Sequence, residues 1–256
     1  MDFIKRAVQF LFFLLIITDV LGLDLQKEIL EWSGYGLLGA GAIGFVYTEP
    51  FFEEPWLEGP TDFPKKSETV PSEWLYGGGF SAAAMILLVP NSENVEIDIK
   101  YNHIKGFARA VAFERFTTGL LKDAVGRYRP NSDARQSAGM NIRHIRDSFP
   151  SGHAGFSFTT ATYLSLYTWQ YIGNDKNSRS IVAKSAVGTA MFGAATAVSL
   201  SRIEDNVHHP GDVAAGALIG IFLGASSYIY QEKCLEREAE FSISPTYQGI
   251  NLTWRF

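Results

Sequence analysis

Long apolar stretches separated by short polar connections dominate this chain. Trp74–Pro90, Ala154–Ile172, Ser185–Leu200 and Val213–Tyr230 contain no charged residue, and Ile4–Gly22 opens with Lys5 and Arg6 before the run FLFFLLII. Gly106–Leu121 has helical spacing but holds Arg109, Glu114 and Arg115. Gly34–Tyr47 is a shorter run with five glycines. Strand-like alternation appears only at the end, in Ile250, Leu252, Trp254 and Phe256, so the body is expected to be all-α and the tail a single amphipathic strand packing on the body or on the membrane surface.

A bilayer span needs about 20 apolar residues, and these segments run from 16 to 19. With Gly34–Tyr47 set aside as too short, six spans remain. Lys5 and Arg6, Lys100 and Lys105, Lys176 with Arg179 and Lys184, and Lys233 with Arg237 then fall on one side, as the positive-inside tendency asks. The three charges of Gly106–Leu121 must face the bundle interior in that case. Gly216, Gly220 and Gly224 recur every four residues, a spacing that suits closely packed membrane helices and any other tight bundle. The expectation is a membrane-embedded helical bundle with about six spans. The competing reading makes residues 1–22 a cleaved secretory signal: Val-Leu-Gly is an acceptable end, and Asp19 inside the run speaks against it.

Composition narrows the choice. Of 256 residues, 46% are hydrophobic and 19% charged, which rules out long disorder, and a net charge of −5 argues against nucleic-acid binding. The single cysteine, Cys234, allows neither an intrachain disulfide nor a CxxC metal site. Residues 23–73 hold ten acids against three lysines, with Pro50, Pro55, Pro60, Pro64 and Pro71 among Phe51, Phe52, Trp56 and Phe63. Prolines at that density exclude a long helix there, and the stretch is expected as an ordered loop that lays its aromatics on the body. The chain therefore divides into 1–22, a signal or first membrane helix; 23–73, an acidic loop region; 74–230, the main helical domain; and 231–256, a tail.

Three short pieces carry chemistry. In the first, Lys122 ends a helix and Arg129-Pro130 follows seven residues later; an ammonium and a planar guanidinium suit a tetrahedral oxyanion. In the second, Pro150-Ser151-Gly152-His153 precedes an uncharged helix, whose unpaired N–H groups attract anions and where His153 can move a proton. The third runs from Ser201-Arg202 to His208-His209-Pro210-Gly211-Asp212, where one helical turn lets Asp212 hold a ring nitrogen of His208 and leaves the other as nucleophile. Each piece alone is also an ordinary cap or turn. Between the first two lies Asn131–Ser148, whose Arg143 and His144 are candidates for contact with a substrate headgroup. His103 is expected in a loop outside the site. A zinc site built from His153, His208, His209 and Asp212 is disfavoured by the surrounding cations.

Together K-x6-RP, PSGH and SR-x5-H-x3-D supply eleven identities in order. On these motifs the sequence resembles the type 2 phosphatidic acid phosphatase (PAP2) family, related to bacterial class A acid phosphatases and vanadium haloperoxidases. The resemblance spans 122–212, and the flanking helices extend it to about 74–230. It implies a helical bundle of the PAP2 and acid phosphatase type and a metal-independent phosphatase without cofactor or obligatory protein partner. In that resemblance His208 is the nucleophile that becomes phosphohistidine, Asp212 holds it, and His153 is general acid and then base. Lys122, Arg129, Arg202 and Ser151–Gly152 bind the phosphate oxygens. The substrate is expected to be a lipid phosphate at a membrane, whether phosphatidate, phosphatidylglycerophosphate, a polyprenyl diphosphate or a lipid A phosphate, with the site on the extracytoplasmic side. A soluble secreted acid phosphatase of broad specificity and a vanadate-dependent haloperoxidase are the alternatives, and a non-enzymatic lipid-binding protein requires vestigial motifs.

Overall fold

The computed structural model describes residues 25–45, 48–88, 97–172, 178–246 and 249–254; the apolar segment Ile4–Gly22 lies outside them. Four long helices carry or flank the motifs: α3 (Ile97–Val125), α6 (Gly152–Tyr171), α7 (Ser178–Glu204) and α8 (Pro210–Glu240). They are preceded by α1 (Leu25–Gly44) and α2 (Ser72–Leu88), and two short helices, α4 (Ser132–Ser137) and α5 (Ile142–Ile145), sit between α3 and α6. The body is all-helical, as expected.

The six long helices alternate in direction. Glu28 of α1 meets Lys105 at the start of α3 at 2.6 Å, and a Cβ on Gly41 would meet Phe116 further along α3, so α1 and α3 run the same way. α2 runs back: Tyr76 near its start touches Phe156 of α6, and Ala83 joins Phe107 and Tyr163 in the core. Lys184 near the start of α7 donates to the Trp169 carbonyl at the end of α6, and the Ser227 carbonyl of α8 accepts from Arg109 near the start of α3. All three motif segments thereby collect at one end of the bundle. Lys100, Lys105, Arg179, Lys184 and Lys233 belong to helix segments at the other.

Two expectations change. Residues 23–73 were expected as loop, but Leu25–Gly44 is helical and the irregular chain runs from 48 to 71. Glu28 and Glu31 look solvated in the sequence, yet Lys105 takes both, at 2.6 and 2.9 Å, inside the bundle. The glycine-rich run, set aside as too short, is thus the second half of a 20-residue helix, and the count of six spans that omitted it does not hold as it was made. The tail strand, present over Gly249–Trp254, is not single: it pairs antiparallel with Phe241–Thr246, with Phe241 opposite Trp254. Pro245 in a six-residue run hid that partner, because proline argues against a strand.

The 48–71 segment also differs from expectation. Its Phe51, Phe52, Trp56 and Phe63 are 41% to 65% exposed, and it is the backbone that is pinned. Phe51 N–H donates to the Asp123 carbonyl at 2.8 Å, Trp56 N–H to Val125 and Phe63 N–H to Pro130, both at 3.0 Å. This strap lies across the end of the bundle that holds the motifs.

The charges of α3 face inward. Glu114 is fully buried against Arg115, and Arg109 is capped by Ser227. His103, expected in a loop, is buried in α3, with Nδ1 at 3.2 Å from the Tyr163 hydroxyl and Nε2 at 3.1 Å from Glu232. Among the described residues, two helices are long and apolar enough to cross a membrane, Ser178–Glu204 and Pro210–Glu236. Large apolar side chains such as Val182, Leu200, Leu218 and Phe222 are exposed on them.

One seam fixes the site. A Cβ on Gly216 would sit 2.3 Å from the Ser151 carbonyl oxygen, one on Gly220 2.3 Å from Gly155 O, and one on Gly224 2.9 Å from Thr159 O. α8 therefore lies backbone to backbone on α6, an approach only glycine permits. Gly220→Ala should destabilise the fold by about 1–3 kcal/mol through overpacking. Thermal unfolding in detergent checks this, and an unshifted midpoint would refute the seam.

Candidate active site

Local sequence places the functional side chains at helix ends or in the short connections beside them. α3 stops where Gly126 adopts φ +58° and its N–H returns to the Lys122 carbonyl at 2.9 Å, the left-handed ending that glycine favours. Lys122 is thus left in the last turn. Ser151 caps α6 with extended backbone, so Gly152 and His153 occupy its first turn, where N–H groups lack intrahelical acceptors. Pro210 opens α8, a position proline suits, and the Asp212 carboxylate accepts the His209 N–H at 2.9 Å. Arg202 lies in the last turn of α7.

His208 is buried, and its Nδ1 lies 2.6 Å from the Ser148 carbonyl oxygen. A carbonyl only accepts, so Nδ1 carries the proton and Nε2 keeps the lone pair. Asp212 Oδ2 is 3.8 Å from the same Nδ1 and acts partly through Ser148, whose hydroxyl donates to Oδ2 at 2.5 Å. Its other oxygen takes Arg127 Nη1 at 2.7 Å. Burial, then the Arg129 and Lys122 charges, push the His208 pKa down to about 3 against the pull of Asp212, so the ring is neutral at neutral pH.

The cations surround this histidine. Arg129 Nε donates to Asp147 at 2.5 Å and Nη1 to the Val207 carbonyl at 3.0 Å. Burial opposes the Arg129 charge, but Asp147, with smaller help from Glu68 and Asp212, raises its pKa. Asp147 is held well below the usual carboxylate range: burial raises it, and Arg129 and Lys122 outweigh that. Lys122 Nζ donates to the Asp147 backbone carbonyl at 2.7 Å, and burial pushes its pKa down to about 8. Arg202, 1% exposed, pairs through Nη2 with Asp205 and points Nη1 at His153 Nε2, 3.3 Å away.

His153 Nε2 also lies 3.2 Å from the Val70 carbonyl oxygen of the strap. Burial first, then the charges of Arg202, His208, Arg115 and Lys122, lower its pKa to about 3. Ser151 is buried and its Oγ has no partner among the described residues, while Arg115 Nη2 holds the Gly152 carbonyl at 2.6 Å. The eight residues expected at the centre are therefore brought to one end of the bundle, with His153 and His208 within electrostatic reach of each other.

Arg143 and His144 lie apart from the motif histidines. Arg143 is buried and ion-paired with Asp123, whereas His144 is exposed; both line a cavity of about 740 Å³ that Lys122 and Asp147 also border. Arg135 and Arg146 are engaged by Asn131 and by the carbonyls of Gly126 and Phe52, so much of the positive charge in this connection holds the loops together. His209 turns away, with Nε2 at 3.1 Å from the Tyr128 carbonyl and its ring against Gly59. Sequence reasoning missed Arg127, Asp147, Ser148, Asp205 and Glu68. Arg127 lies inside the first motif and Asp147 shortly before the second, at positions that neither motif specifies.

A neutral histidine, a second histidine and cations at helix ends make a phosphoryl-transfer type of arrangement. Residues 105–236 match the PAP2 superfamily, and the chain belongs to it. Lipid phosphate phosphatase 1 of Arabidopsis thaliana is 30% identical over 229 residues, covering 79% of this chain and 68% of that protein. Probable lipid phosphate phosphatase 4 of the same plant is 27% identical over 234 residues, 80% of this chain and 73% of its own. Probable diacylglycerol pyrophosphate phosphatase 1 of Schizosaccharomyces pombe is 32% identical over 129 residues, 43% of this chain and 46% of its own.

The low pKa of His153 leaves it unprotonated in the resting site, and a bound dianion offsets the charges that depress it. Sulfate, which neither gives nor takes a proton at about pH 6, should therefore bind with proton uptake that His153→Ala abolishes. Calorimetry in buffers of different ionisation enthalpy measures this, and no uptake in the parent protein would refute it.

Proposed function

We infer that this protein is a PAP2-type phosphatase that hydrolyses lipid phosphates at a membrane, with His208 as nucleophile. His208 Nε2 attacks phosphorus in line; the P–N bond forms as the ester P–O bond breaks. His153 gives its proton to the leaving oxygen, then takes one from the water that cleaves the phosphohistidine and returns inorganic phosphate. Lys122, Arg129, Arg202 and the first-turn N–H groups at Ser151–Gly152 hold the non-transferred oxygens, preorganised donors for the charge that develops there. The protein bears His208 neutral, as attack requires, and the substrate's negative charge is what lets His153 carry a proton beside Arg202.

The observation that carries the lipid assignment is the 740 Å³ cavity. It follows one face of α3 from Ala108 through Val111, Ala112, Arg115, Thr118 and Gly119 to Lys122, about 21 Å of helix at 1.5 Å per residue. Trp32, Tyr35, Ile43, Tyr76 and Phe80 supply apolar walls, and Lys122, Arg143, His144 and Asp147 the polar ones. An acyl chain fits along such a wall with its phosphate at Lys122; the headgroup then meets His144 and the Lys122 end, and Arg143 contributes through its charge. The apolar segments 74–90, 106–121, 154–172, 185–200 and 213–230, with α1, cross the bilayer, and the catalytic side chains stand at the helix ends beyond them. The basic residues at the opposite end put that end on the cytoplasmic side and the active site outside.

Purified protein in detergent and EDTA should release phosphate from phosphatidate in preference to p-nitrophenyl phosphate, and His208→Ala should lower the rate by at least about a thousandfold. Equal or better turnover of the soluble ester would favour a broad-specificity acid phosphatase, and activity retained in the variant would overturn the nucleophile.

Lys122 must be charged to hold an anion, and with its pKa pushed down to about 8 that charge is lost as pH rises through this value. The alkaline limb of kcat/KM should therefore fall at about pH 8 and move upward in Lys122→Arg, since arginine stays protonated. A limb that does not move would assign it to another group.

A further inference from the structure

Glu68 belongs to none of the three motifs. It sits on the strap, and its Oε2 accepts from Arg202 Nη1 at 3.3 Å, the nitrogen that also lies 3.3 Å from His153 Nε2. Arg202 has its other donors engaged, Nη2 by Asp205 and Nε facing Ser201 Oγ at 3.4 Å. Nη1 is therefore the donor turned toward an incoming oxyanion, and a carboxylate holds it. The backbone around Glu68 is fixed on both sides. Thr69 N–H and Oγ1 donate to Asp205 at 2.8 and 2.6 Å, and Lys66 Nζ donates to the Glu204 carbonyl at 2.7 Å. The Glu68 side chain is itself 44% exposed, so it can swing from Arg202 while the strap keeps its charge beside the site.

We propose that Glu68 is a specificity-determining residue that selects substrates by charge, a reading that rests on Arg202 as a phosphate ligand. A phosphate oxygen takes Nη1 by displacing the carboxylate, which then remains close to the bound group. The resulting repulsion grows with the charge of the ligand. A lipid phosphate monoester carries about two negative charges and its leaving group departs as a neutral alcohol. A lipid diphosphate carries more, and its leaving group is itself a phosphate. Glu68 thus favours monoesters over diphosphates, and its return to Arg202 assists release of inorganic phosphate.

The test uses the full chain in an uncharged detergent, with Glu68→Gln, Glu68→Asp and Arg202→Ala compared on phosphatidate and diacylglycerol diphosphate, and with inorganic phosphate as inhibitor. Glu68→Gln should raise kcat/KM for the diphosphate relative to the monoester by about two- to fivefold, the range for a partly exposed ion pair. Inorganic phosphate should then inhibit at correspondingly lower concentration, and Glu68→Asp should return both toward the parent values. An unchanged ratio, or one that shifts toward the monoester, overturns the proposal, even if Glu68→Gln slows both substrates. Arg202→Ala separates the premises: phosphate inhibition retained there would mean that Arg202 is not a phosphate ligand. Inhibition lost there, with the Glu68→Gln ratio unmoved, sinks the role of Glu68 alone.

Discussion

The bare-backbone contact between α6 and α8 is the constraint on which the remainder depends. Gly216, Gly220 and Gly224 let two helices touch without side chains between them, at the end where Ser151 caps α6 and Asp212 lies in the first turn of α8. The seam passes directly into a hydrogen bond, Ser151 N–H to the Asp212 carbonyl at 2.9 Å. From there the Asp212 carboxylate orders Ser148, His209 and Arg127. The register of a packing contact thus becomes the orientation of His208, because Ser148 is what fixes its tautomer.

Collecting cations for a phosphate raises a problem before any substrate arrives, since buried like charges repel and unpaired ones are costly. Each cation here is paired with a carboxylate. Asp147 serves Lys122 and Arg129, Asp212 serves Arg127, and Asp205 serves Arg202. Those partners are buried or nearly so and supported by neighbouring donors. Glu68, half-exposed on the strap, is the counter-ion able to yield. Fixed counter-ions make the folded site tolerable while a movable one leaves it receptive.

What could be read from the sequence follows from where each role originates. Lys122, Arg129, His153, Arg202, His208 and Asp212 could be singled out because they stand in the three motifs that carry the family resemblance. Ser148 and Glu68 were not, because their roles arise from contacts with residues 60 and 134 positions away. The charged N-terminal half of α1 misled for the same reason: Glu28 looks solvent-facing until Lys105, 77 positions on, is folded against it. His103 looked like a loop residue because nothing local shows that Tyr163, Tyr167, Tyr171 and Tyr228 close around it. All-helical architecture was plain from periodicity, but the start of α1 and the pairing of the tail were set by tertiary partners.

The strap has a consequence for biogenesis. It leaves the ribosome before the bundle residues that pin it, and its contacts from Lys66 to Glu204 and from Thr69 to Asp205 wait for chain 138 and 136 positions later. Long-range closures of this kind form late. Until α7 and the turn into α8 have been made, Arg202 and His208 do not exist and the strap rests on α3, the connection after it and His153 at the start of α6. The cluster of Arg202, His208 and the strap is therefore assembled only once α7 and the start of α8 have been made, and a nascent chain lacks it until then.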